Sequence, residues 1–487
     1  MIAVRVVSGA RGLFRVGTFR YAVCRLSKGG RLPTRQEVVE VRARPGRIWV
    51  RLGALVGAGA LAAGVVITAA GPTASAAPQP RHIPRGTPRY ATLGGATVLP
   101  TTTTVPHWHG TFTDPSNGVT YGYNMVGNGD PSTYSGTTTV PTEIVPMDFV
   151  FSTGTSFNGA TTVSATVASP VFQDNTYSYA KVTAAGTTKP LSAAGDTQLE
   201  DAVMRSQFNQ VGKSTFHLLL GTPTVLPTQT ISVPADRGVV ASFGTGFGAF
   251  GDVNITWFAA RMNNLIDSLH ISPTTLPIFL TDNVYLYVGR TFTTCCVLGF
   301  HGAAQVTGRG GGRVHGSGVQ GVQTYIYAAY AMPGTWATEP TPQPTVTGKQ
   351  TLTHAYSLFS SIQDIHALSH EVSEWADDPF TNNTVQPWKT PTAPQYGCSS
   401  LLETGDPVVG IAVLIGKNTY FQTAGGNADG YWHPEDEVFL PWFARQDPNT
   451  TSEPLQTATS MAKGRYTFFG DLNGYPGFQV PATGCTT

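Results

Sequence analysis

The chain has 487 residues, of which only 12% are charged, and its formal net charge is +1 at pH 7. The first 51 residues hold 12 of the 30 basic and two of the 29 acidic residues, which leaves 18 basic and 27 acidic residues, a net charge near −9, in the rest. This balance excludes a protein that binds nucleic acid through a basic surface. The length accommodates two domains or one large one.

The N-terminal region predicts export. Residues 52–70 carry no charge and are rich in Ala, Gly, Val and Leu, and Ala74-Ser75-Ala76 follows with the small-x-small form of a signal-peptidase site. We therefore expect residues 1–76 to be a signal peptide with a long basic n-region, and the mature protein to be secreted and extracellular. The alternative is an uncleaved signal that anchors the chain in a membrane, since the apolar segment is long enough to span one. The long basic region also leaves open a translation start later than Met1.

Residues 77–106 are rich in Pro and Thr and predict a flexible leader. Residues 107–272 predict a β-rich domain, because short runs of β-branched and aromatic residues alternate with turn residues. Expected strands cover residues 107–114 and 119–126, which form a hairpin around Pro-Ser-Asn-Gly, and residues 142–152 and 161–172. Helical patterns cover residues 255–269 and, less extensively, 199–208.

Residues 273–487 predict a second domain. Strand patterns cover residues 276–288 and 322–331, and an irregular glycine-rich loop at 308–321 separates them. A helix with the motif described below follows, and a second helix begins near Pro434. This order is typical of a zincin-like domain, so the predicted fold class is α+β, with a β-rich N-terminal half and a zincin-like domain that holds a sheet and a metal-site helix.

Residues 366–378, His-Ala-Leu-Ser-His-Glu-Val-Ser-Glu-Trp-Ala-Asp-Asp, concentrate ionisable groups in a chain otherwise poor in them. From residue 356 onward, apolar residues spaced by three and four have the period of an amphipathic helix, which Pro379 ends. On such a helix His366, His370 and Glu374 recur every fourth residue and lie along one side. The alternative is a solvated polar face without a ligand.

The sequence His370-Glu371-Val372-Ser373-Glu374 is a His-Glu-x-x-Glu pattern related to the His-Glu-x-x-His of zinc peptidases. Residues four apart on a helix can reach one metal ion, so His370 and Glu374 are predicted ligands of one Zn²⁺ per chain. Glu371 is turned away enough to hold a water, and it is the predicted general base. Calcium is an alternative metal for the acidic loop around Asp377 and Asp406, because hard oxygen ligands suit it.

The third ligand must come from elsewhere in the chain. Glu403, in Leu-Glu-Thr-Gly-Asp, is the best candidate, and Asp406 is close enough in sequence to orient a ligand from behind. His366 is an alternative ligand or orienting group, and Asp378 would replace Glu403 if Glu403 were too far away. Candidate donors to a developing oxyanion are His433, Tyr431 and His301, among which the sequence does not choose.

Four cysteines follow the predicted signal peptide, at Cys295, Cys296, Cys398 and Cys485. In an exported chain they suggest two disulfides. Adjacent cysteines rarely bridge each other, so each of the first two is expected to pair with one of the last two. A cysteine-based metal site is the alternative. His107 and His109 do not indicate a blue-copper site, because no cysteine has the required flanking histidine.

Three stretches also resemble a family of exported bacterial proteins with a His-Glu-x-x-Glu helix, described as metallopeptidase-like relatives of the gluzincins. They are Thr-Cys-Cys-Val-Leu-Gly-Phe-His at 294–301, Leu-Ser-His-Glu-Val-Ser-Glu-Trp at 368–375, and Leu-Glu-Thr-Gly-Asp-Pro at 402–407. Residues 112–115 and 141–146 of the first half are similar too. The motif helix is more distantly similar to plant phosphate-induced proteins of the exordium type. Glu374 stands where gluzincins have a second His. This difference from the gluzincin pattern weakens the expectation of catalysis more than the expectation of metal binding.

The sequence therefore predicts a secreted zinc-dependent hydrolase, a metallopeptidase that acts on a peptide or protein substrate. The alternative is a secreted binding or cell-envelope protein, with a structural metal site or an inactive zincin-like domain, whose β-rich half contacts a cell-wall polymer. A third possibility is that the first half is a pro-region removed on activation. No nucleic-acid partner is expected. Contact with a membrane is expected only if the signal peptide remains uncleaved and anchors the chain.

Overall fold

A computed structural model describes residues 102–176, 196–208, 215–307, 319–336, 362–391, 397–412, 414–421 and 430–446, together with short pieces elsewhere. Residues 51–79, which include the predicted apolar segment and cleavage site, lie outside the described residues, as do residues 308–318 of the glycine-rich loop. Among the residues that the structure does describe, no helix is both long enough and apolar enough to cross a membrane.

Residues 1–75 and residues 76–487 form two separate compact units. The described part of the first unit is an antiparallel sheet of β1 (Phe19–Ala22), β2 (Val38–Arg44) and β3 (Arg47–Val50), with β2 in the middle. The remaining elements belong to the second unit.

The strands of the second unit, in chain order, are β4 (Arg81–His82), β5 (His107–Thr113), β6 (Thr120–Val126), β7 (Thr137–Val140), β8 (Thr142–Phe151), β9 (Ser156–Asn158), β10 (Asn175–Thr176), β11 (Ala180–Val182), β12 (Thr188–Pro190), β13 (Asp196–Thr197), β14 (His217–Leu220), β15 (Thr224–Val225), β16 (Gln229–Val233), β17 (Gly238–Ser242), β18 (Ala249–Asn254), β19 (Leu276–Asp282), β20 (Val284–Tyr287), β21 (Cys295–Val297), β22 (Gly299–Thr307), β23 (Val319–Tyr330), β24 (Thr384–Lys389) and β25 (Cys398–Leu401).

The α-helices are α1 (Val163–Val167), α2 (Leu199–Gln207), α3 (Ile255–Leu269), α4 (His366–Asp377) and α5 (Leu440–Phe443), and 3₁₀ turns cover Gly159–Thr162, Phe292–Thr294 and Asp406–Val408. The described residues are thus mostly strand with a few helices, which confirms the coarse α+β class.

Local sequence patterns predicted several of these elements well. The hairpin of β5 and β6, strand β8 and helices α2 and α3 lie where the hydrophobic periodicity placed them. The strand expected at residues 161–172 is wrong, because that segment contains a 3₁₀ turn and α1. The helix expected from Pro434 is also wrong over its first residues. Glu435 and Val438 form isolated β-bridges there, and only Leu440–Phe443 is helical.

The main sheet joins the two halves of the sequence. Its central path is β15-β8-β19-β23-β22, and β9 and β16 also pair with β8. Strands β8, β19 and β23 are parallel, with Ile278 opposite both Ile144 and Ile326, whereas β22 runs antiparallel to β23. Strands β8, β9, β15 and β16 come from residues 107–272, and β19, β22 and β23 come from residues 273–487, so the main sheet combines strands of both predicted domains.

A second sheet, with the order β21-β20-β18-β17-β4, lies beside the main one. The pattern at residues 276–288 predicts one strand, but Asn283 has a left-handed φ of 50° and separates β19 from β20. Short polar side chains such as Asn tolerate this conformation. The Asn283 amide donates to the Thr335 hydroxyl, and its carbonyl oxygen accepts from the Met332 backbone. The turn at Asn283 therefore moves the chain from one sheet to the other.

Helices α3 and α4 pack on opposite faces of the main sheet. On one face Phe258 of α3 packs against Phe149 and Tyr327, with ring centroids 5.3 and 4.9 Å apart. On the other face Leu368, Val372 and Trp375 of α4 join the core that contains Ile278 and Ile326. The Trp375 indole also donates to the Thr324 hydroxyl of β23 over 3.0 Å. Alternation along the strands thus sends neighbouring residues into two different cores.

The described chain contains two disulfides, but the expected pairing is wrong. Cys295 is bonded to Cys296, through a cis peptide bond with Cα atoms 3.0 Å apart, and Cys398 is bonded to Cys485 with Cα atoms 5.8 Å apart. A Cα separation near 5.5–6 Å is ordinary for a disulfide. Cys398 and Cys485 therefore pair with each other, and Cys295 and Cys296 form the other pair. The second bridge anchors the strand before Glu403 to residue 485, not to the main sheet.

Candidate metal centre

Helix α4 carries most of the candidate site and is shorter than predicted. It begins at His366, because Asp364 has a left-handed φ of 47° and bridges Ala331 of the sheet edge; residues 351–361 lie outside the described part. It ends at Asp377, immediately before Asp378 and Pro379, as the proline predicts. All its residues are buried, so the row of polar residues is not a solvated face.

Neighbouring elements surround α4 and explain its burial. On the side away from the sheet, the Ser373 hydroxyl donates to Glu200 of α2 over 2.6 Å, and the Gln207 side chain of α2 donates to Asp377 over 2.7 Å. These hydrogen bonds satisfy polar groups that would otherwise be costly inside the protein. The charged row of α4 is therefore enclosed by protein on all sides.

Glu374 lies at the centre of the candidate site. Its Oε1 is 3.1 Å from His370 Nε2, one helical turn earlier, and accepts from the backbone N–H groups of Gly405 and Asp406 over 3.2 and 3.1 Å. Its Oε2 is 3.5 Å from His301 Nδ1. The two carboxylate oxygens of Glu374 thus face two different histidines.

His301 enters the site from strand β22. Its neighbour Phe300 points into the α3-side core, and because strands alternate, His301 points toward α4. Its Nδ1 is 3.3 Å from Glu371 Oε2, and its Nε2 is 3.7 Å from Glu403 Oε2. Carboxylates therefore lie on both sides of one buried imidazole.

The segment 402–406 brings the remaining acids. The Leu402 N–H donates to the Asn383 carbonyl, and the Val438 N–H donates to the Thr404 carbonyl, so the segment is held at both ends. Gly405 lies against the His370 ring so closely that a Cβ atom there would collide with the imidazole. This close approach places the segment that carries Glu403 and Asp406 directly against α4.

Among the described residues, two groups place their potential ligand atoms within 4.8 Å of one another. The first group is His301, Glu374 and Glu403, and the second is His370, Glu374 and Asp406. The predicted set of His370, Glu374 and Glu403 is thus divided between them, with Glu374 common to both. A buried His/Glu/Glu group that could bind a metal ion is present, but its histidine is His301 and not the predicted His370.

The spacing of the potential ligand atoms is compatible with metal coordination, since within each group they lie within 4.8 Å of one another. At zinc–ligand distances of 2.0–2.1 Å, the edge of a tetrahedron of ligands is about 3.4 Å. His301 Nδ1 lies 3.5 Å from Glu374 Oε2, which is close to this edge, whereas Glu403 Oε2 lies 3.7 Å from the other ring nitrogen, Nε2. Imidazole nitrogen with carboxylate oxygen is a donor set that zinc and other divalent transition ions accept.

The electrostatics of the cluster follow from burial. Burial, followed by repulsion from Glu374, raises the pKa of Asp406 to about 8 and that of Glu403 well above its usual value. Burial acts the same way on Glu374, but the adjacent His370 and His301 outweigh it and lower the pKa of Glu374. Burial alone would lower the pKa of His370 and His301, yet the carboxylates around them raise it well above the ordinary value. Buried carboxyl groups so close together favour a cation between them.

Glu371 is also buried, and burial raises its pKa to about 7. Its Oε2 contacts His301 Nδ1, whereas its Oε1 has no hydrogen-bond partner among the described residues. Gly299 of β22 makes room for it, since a Cβ atom there would lie 2.7 Å from Glu371 Oε1. A carboxyl group with a pKa near 7 can both accept and release a proton near neutral pH.

His366 is a member of neither ligand group. Its Nε2 is 2.7 Å from Glu435 Oε2, and the same oxygen is 3.4 Å from His370 Nδ1. A carboxylate behind a ligating histidine orients the ring and raises its basicity. Glu435 is thus placed to hold His370 with its Nε2 toward Glu374, and His366 helps to hold Glu435.

Three further predicted residues take other places. Both ring nitrogens of His433 are engaged, Nδ1 with Asp364 at 2.8 Å and Nε2 with Gln363 at 2.7 Å. Tyr431 is partly exposed and belongs to neither group. Asp378 accepts from the backbone N–H groups of Asn382 and Asn383 and so shapes the turn after α4.

Sequence reasoning assigned His301 only as an oxyanion donor, Asp406 as an orienting group or alternative ligand, and Glu435 only to a helix. Glu435 lies in the acid-rich run Pro-Glu-Asp-Glu at 434–437, and this density in a chain poor in charge was a usable signal. His301 is the third residue of the largely apolar strand β22, where a buried histidine needs a partner.

Comparison of the chain with protein-family models, with curated proteins and with solved structures found no match.

Proposed function

We propose that this protein is a secreted, metal-dependent hydrolase, with zinc as its metal and a peptide or protein as its substrate. The observation that carries the proposal is the position of Glu374, whose two oxygens contact two histidines, His370 at 3.1 Å and His301 at 3.5 Å, inside a cluster rich in buried carboxylates. An enclosed cluster of this composition costs free energy unless a cation neutralises it.

Some residues of the site would bind the metal, and others would orient the residues that bind it. His301, His370, Glu374, Glu403 and Asp406 would hold the metal, and Glu435 would orient His370. When bound, zinc would polarise a substrate carbonyl and lower the pKa of water. The metal-site helix packed on a sheet is consistent with a zincin-like arrangement, which forms part of the proposal.

Glu371 is the proposed general base. In the reaction, the oxygen of water bonds to the substrate carbonyl carbon while Glu371 accepts the proton that water loses. The carbon–nitrogen bond then breaks, and Glu371 returns the proton to the leaving amine. The Oε1 of Glu371, which no described residue engages, is the atom available for this transfer.

A second candidate function is metal binding without hydrolysis, in a secreted binding or cell-envelope protein. Its specific support is the enclosure of the site: His301, His370 and Glu371 are each 0% exposed, and Glu374 is 3% exposed. A hydrolase must admit a substrate carbonyl to these atoms, whereas a structural metal needs no such access.

The test is metal analysis of the purified secreted protein together with a screen of peptide substrates. We expect bound zinc in the wild type, loss of zinc in Glu374→Gln, and hydrolysis that Glu371→Gln abolishes while it keeps the metal. The matched control is Glu143→Gln, on β8, since Glu143 belongs to neither ligand group. A wild type without transition metal after zinc is supplied would overturn the proposal, and bound metal without any hydrolysis would favour the second candidate.

A further inference from the structure

The two potential ligand groups share a single residue, Glu374. His301 and Glu403 belong only to the first group, and His370 and Asp406 belong only to the second. Each group therefore has its own imidazole and its own second carboxylate. One ion using Glu374 would leave one imidazole and one carboxylate without a metal.

The geometry of Glu374 matches a bridge. Its Oε1 lies 3.1 Å from His370 Nε2, and its Oε2 lies 3.5 Å from His301 Nδ1. A carboxylate whose two oxygens face different ligands can bind two ions, one on each oxygen. In two-metal sites the ions are about 3.5–4 Å apart, a span that one carboxylate group can bridge.

The charge of the cluster supports a second cation. Glu371, Glu374, Glu403, Asp406 and Glu435 are all in contact with the histidines of the site or belong to the two groups. When these carboxyl groups ionise to bind metal, a single divalent ion neutralises only part of their negative charge, and a buried charge without a counterion is costly.

Glu437 is an independent indication of missing positive charge. Its side chain is 2% exposed, and neither carboxylate oxygen has a hydrogen-bond partner among the described residues. Its charge interacts with those of His370, Glu435, Glu374 and Glu200, and it follows Glu435, which contacts His370, by two residues. A buried carboxyl group without a partner is rare in proteins unless a ligand completes its surroundings.

We propose that the site holds two divalent transition-metal ions bridged by the Glu374 carboxylate, the first bound by His301 and Glu403 and the second by His370 and Asp406. The proposal deepens the proposed function, because it concerns the same site. Mixed nitrogen and oxygen donors suit ions such as Zn²⁺ and Mn²⁺.

The decisive experiment uses the purified protein, stripped with a chelator and then loaded with Mn²⁺. We expect about two ions per chain by elemental analysis, and an exchange-coupled electron paramagnetic resonance spectrum, because two Mn²⁺ ions that share a carboxylate interact magnetically. One ion per chain at saturation, or the spectrum of isolated Mn²⁺ at full loading, would overturn the proposal. This measurement needs no variant, so a variant that fails to fold does not weaken it.

Variants then assign the ions. His301→Gln and His370→Gln are each expected to halve the metal content and to replace the coupled spectrum by that of an isolated ion. His433→Gln, a buried histidine outside both groups, is the matched control and is expected to keep both ions. If His301→Gln and His370→Gln each removed all the metal, the two groups would form one site and the proposal would be wrong.

The outcomes separate this inference from the proposed function. Two coupled ions without hydrolysis of any peptide would keep the two-ion centre and overturn the hydrolase. Hydrolysis that depends on Glu371 with only one bound ion would keep the hydrolase and overturn the second ion.

Discussion

Helices α3 and α4 lie on opposite faces of one sheet but bury different kinds of residue. On α3 the buried residues Ile255, Phe258, Met262 and Ile266 form one stripe, and the rest of the helix is partly or fully exposed. On α4 every residue is buried, including two histidines and three acids. The comparison teaches that hydrophobic packing stabilises the α3 side, whereas the α4 side concentrates buried charge that packing alone does not stabilise.

The caps of the two helices show the same contrast. The Asn254 side chain accepts from the Trp257 N–H at the start of α3, and His270 ends it in the left-handed conformation. Helix α4 has no side-chain cap at Ile365. Local sequence therefore accounts for the limits of α3, while α4 depends on its tertiary neighbours.

The largest expected effect is a loss of stability when the hydrophobic packing of α3 is disrupted. Phe258→Ala removes a fully buried ring that packs between Phe149 and Tyr327, and it should lower the free energy of unfolding by about 3–5 kcal/mol. Denaturant unfolding measures this loss. Metal content should stay unchanged, and the exposed substitution Thr256→Ala on the same helix should change stability by less than about 0.5 kcal/mol. Loss of metal in a folded Phe258→Ala protein would contradict the separation of the two sides.

The next effect concerns the charged side. Zinc at about 1,000 times its dissociation constant should stabilise the wild type by about 4 kcal/mol, because a ligand that binds only the folded state shifts the unfolding equilibrium. Glu374→Ala removes the residue common to both ligand groups and should abolish this gain. Thermal unfolding with and without zinc measures it. An equal zinc-dependent gain in the wild type and in Glu374→Ala would show that the metal binds elsewhere.

A smaller effect tests how closely the ligands are held. Gly405→Ala places a methyl group against the His370 imidazole and should displace that ring. We expect metal affinity to fall about 10–100-fold, the range seen when the orientation of a ligand is disturbed. Isothermal titration with zinc measures the change. Gly122→Ala, whose new methyl group meets only the end of the exposed His109 ring, is the control and should leave affinity unchanged.

The smallest effect depends on pH and lies away from the candidate ligands. Burial raises the pKa of Asp282 on β19 to about 7, so the folded protein favours the protonated carboxyl group. Below about pH 4 the group is protonated in both states. Between about pH 4 and 7 the unfolded state releases the proton first, and stability falls as pH rises.

Asp282→Asn should remove this contribution and be more stable than the wild type at pH 8, by on the order of 1 kcal/mol, because water partly reaches the side chain. Denaturant unfolding at pH 4 and pH 8 measures the difference between the two proteins. The same difference at both pH values would mean that ionisation of Asp282 does not contribute.

Much of the chemistry could be read from the sequence because it is local. The spacing of His366, His370 and Glu374 is a property of one helix, and Pro379 ends that helix wherever it lies. The limits of α3 and the hairpin of β5 and β6 follow from hydrophobic periodicity and turn residues in the same way. A choice of secondary structure and of helix face needs only neighbours a few residues apart.

Only the tertiary structure decided which distant residues complete the site. His301 reaches α4 because β22 pairs antiparallel with β23 and places His301 opposite Ile326. The segment with Glu403 and Asp406 lies against α4 because the N–H groups of Gly405 and Asp406 both donate to Glu374 Oε1. The sequence determined the row of ligands along one helix, and packing of strand, helix and loop decided its partners, since contacts between distant residues depend on the whole core.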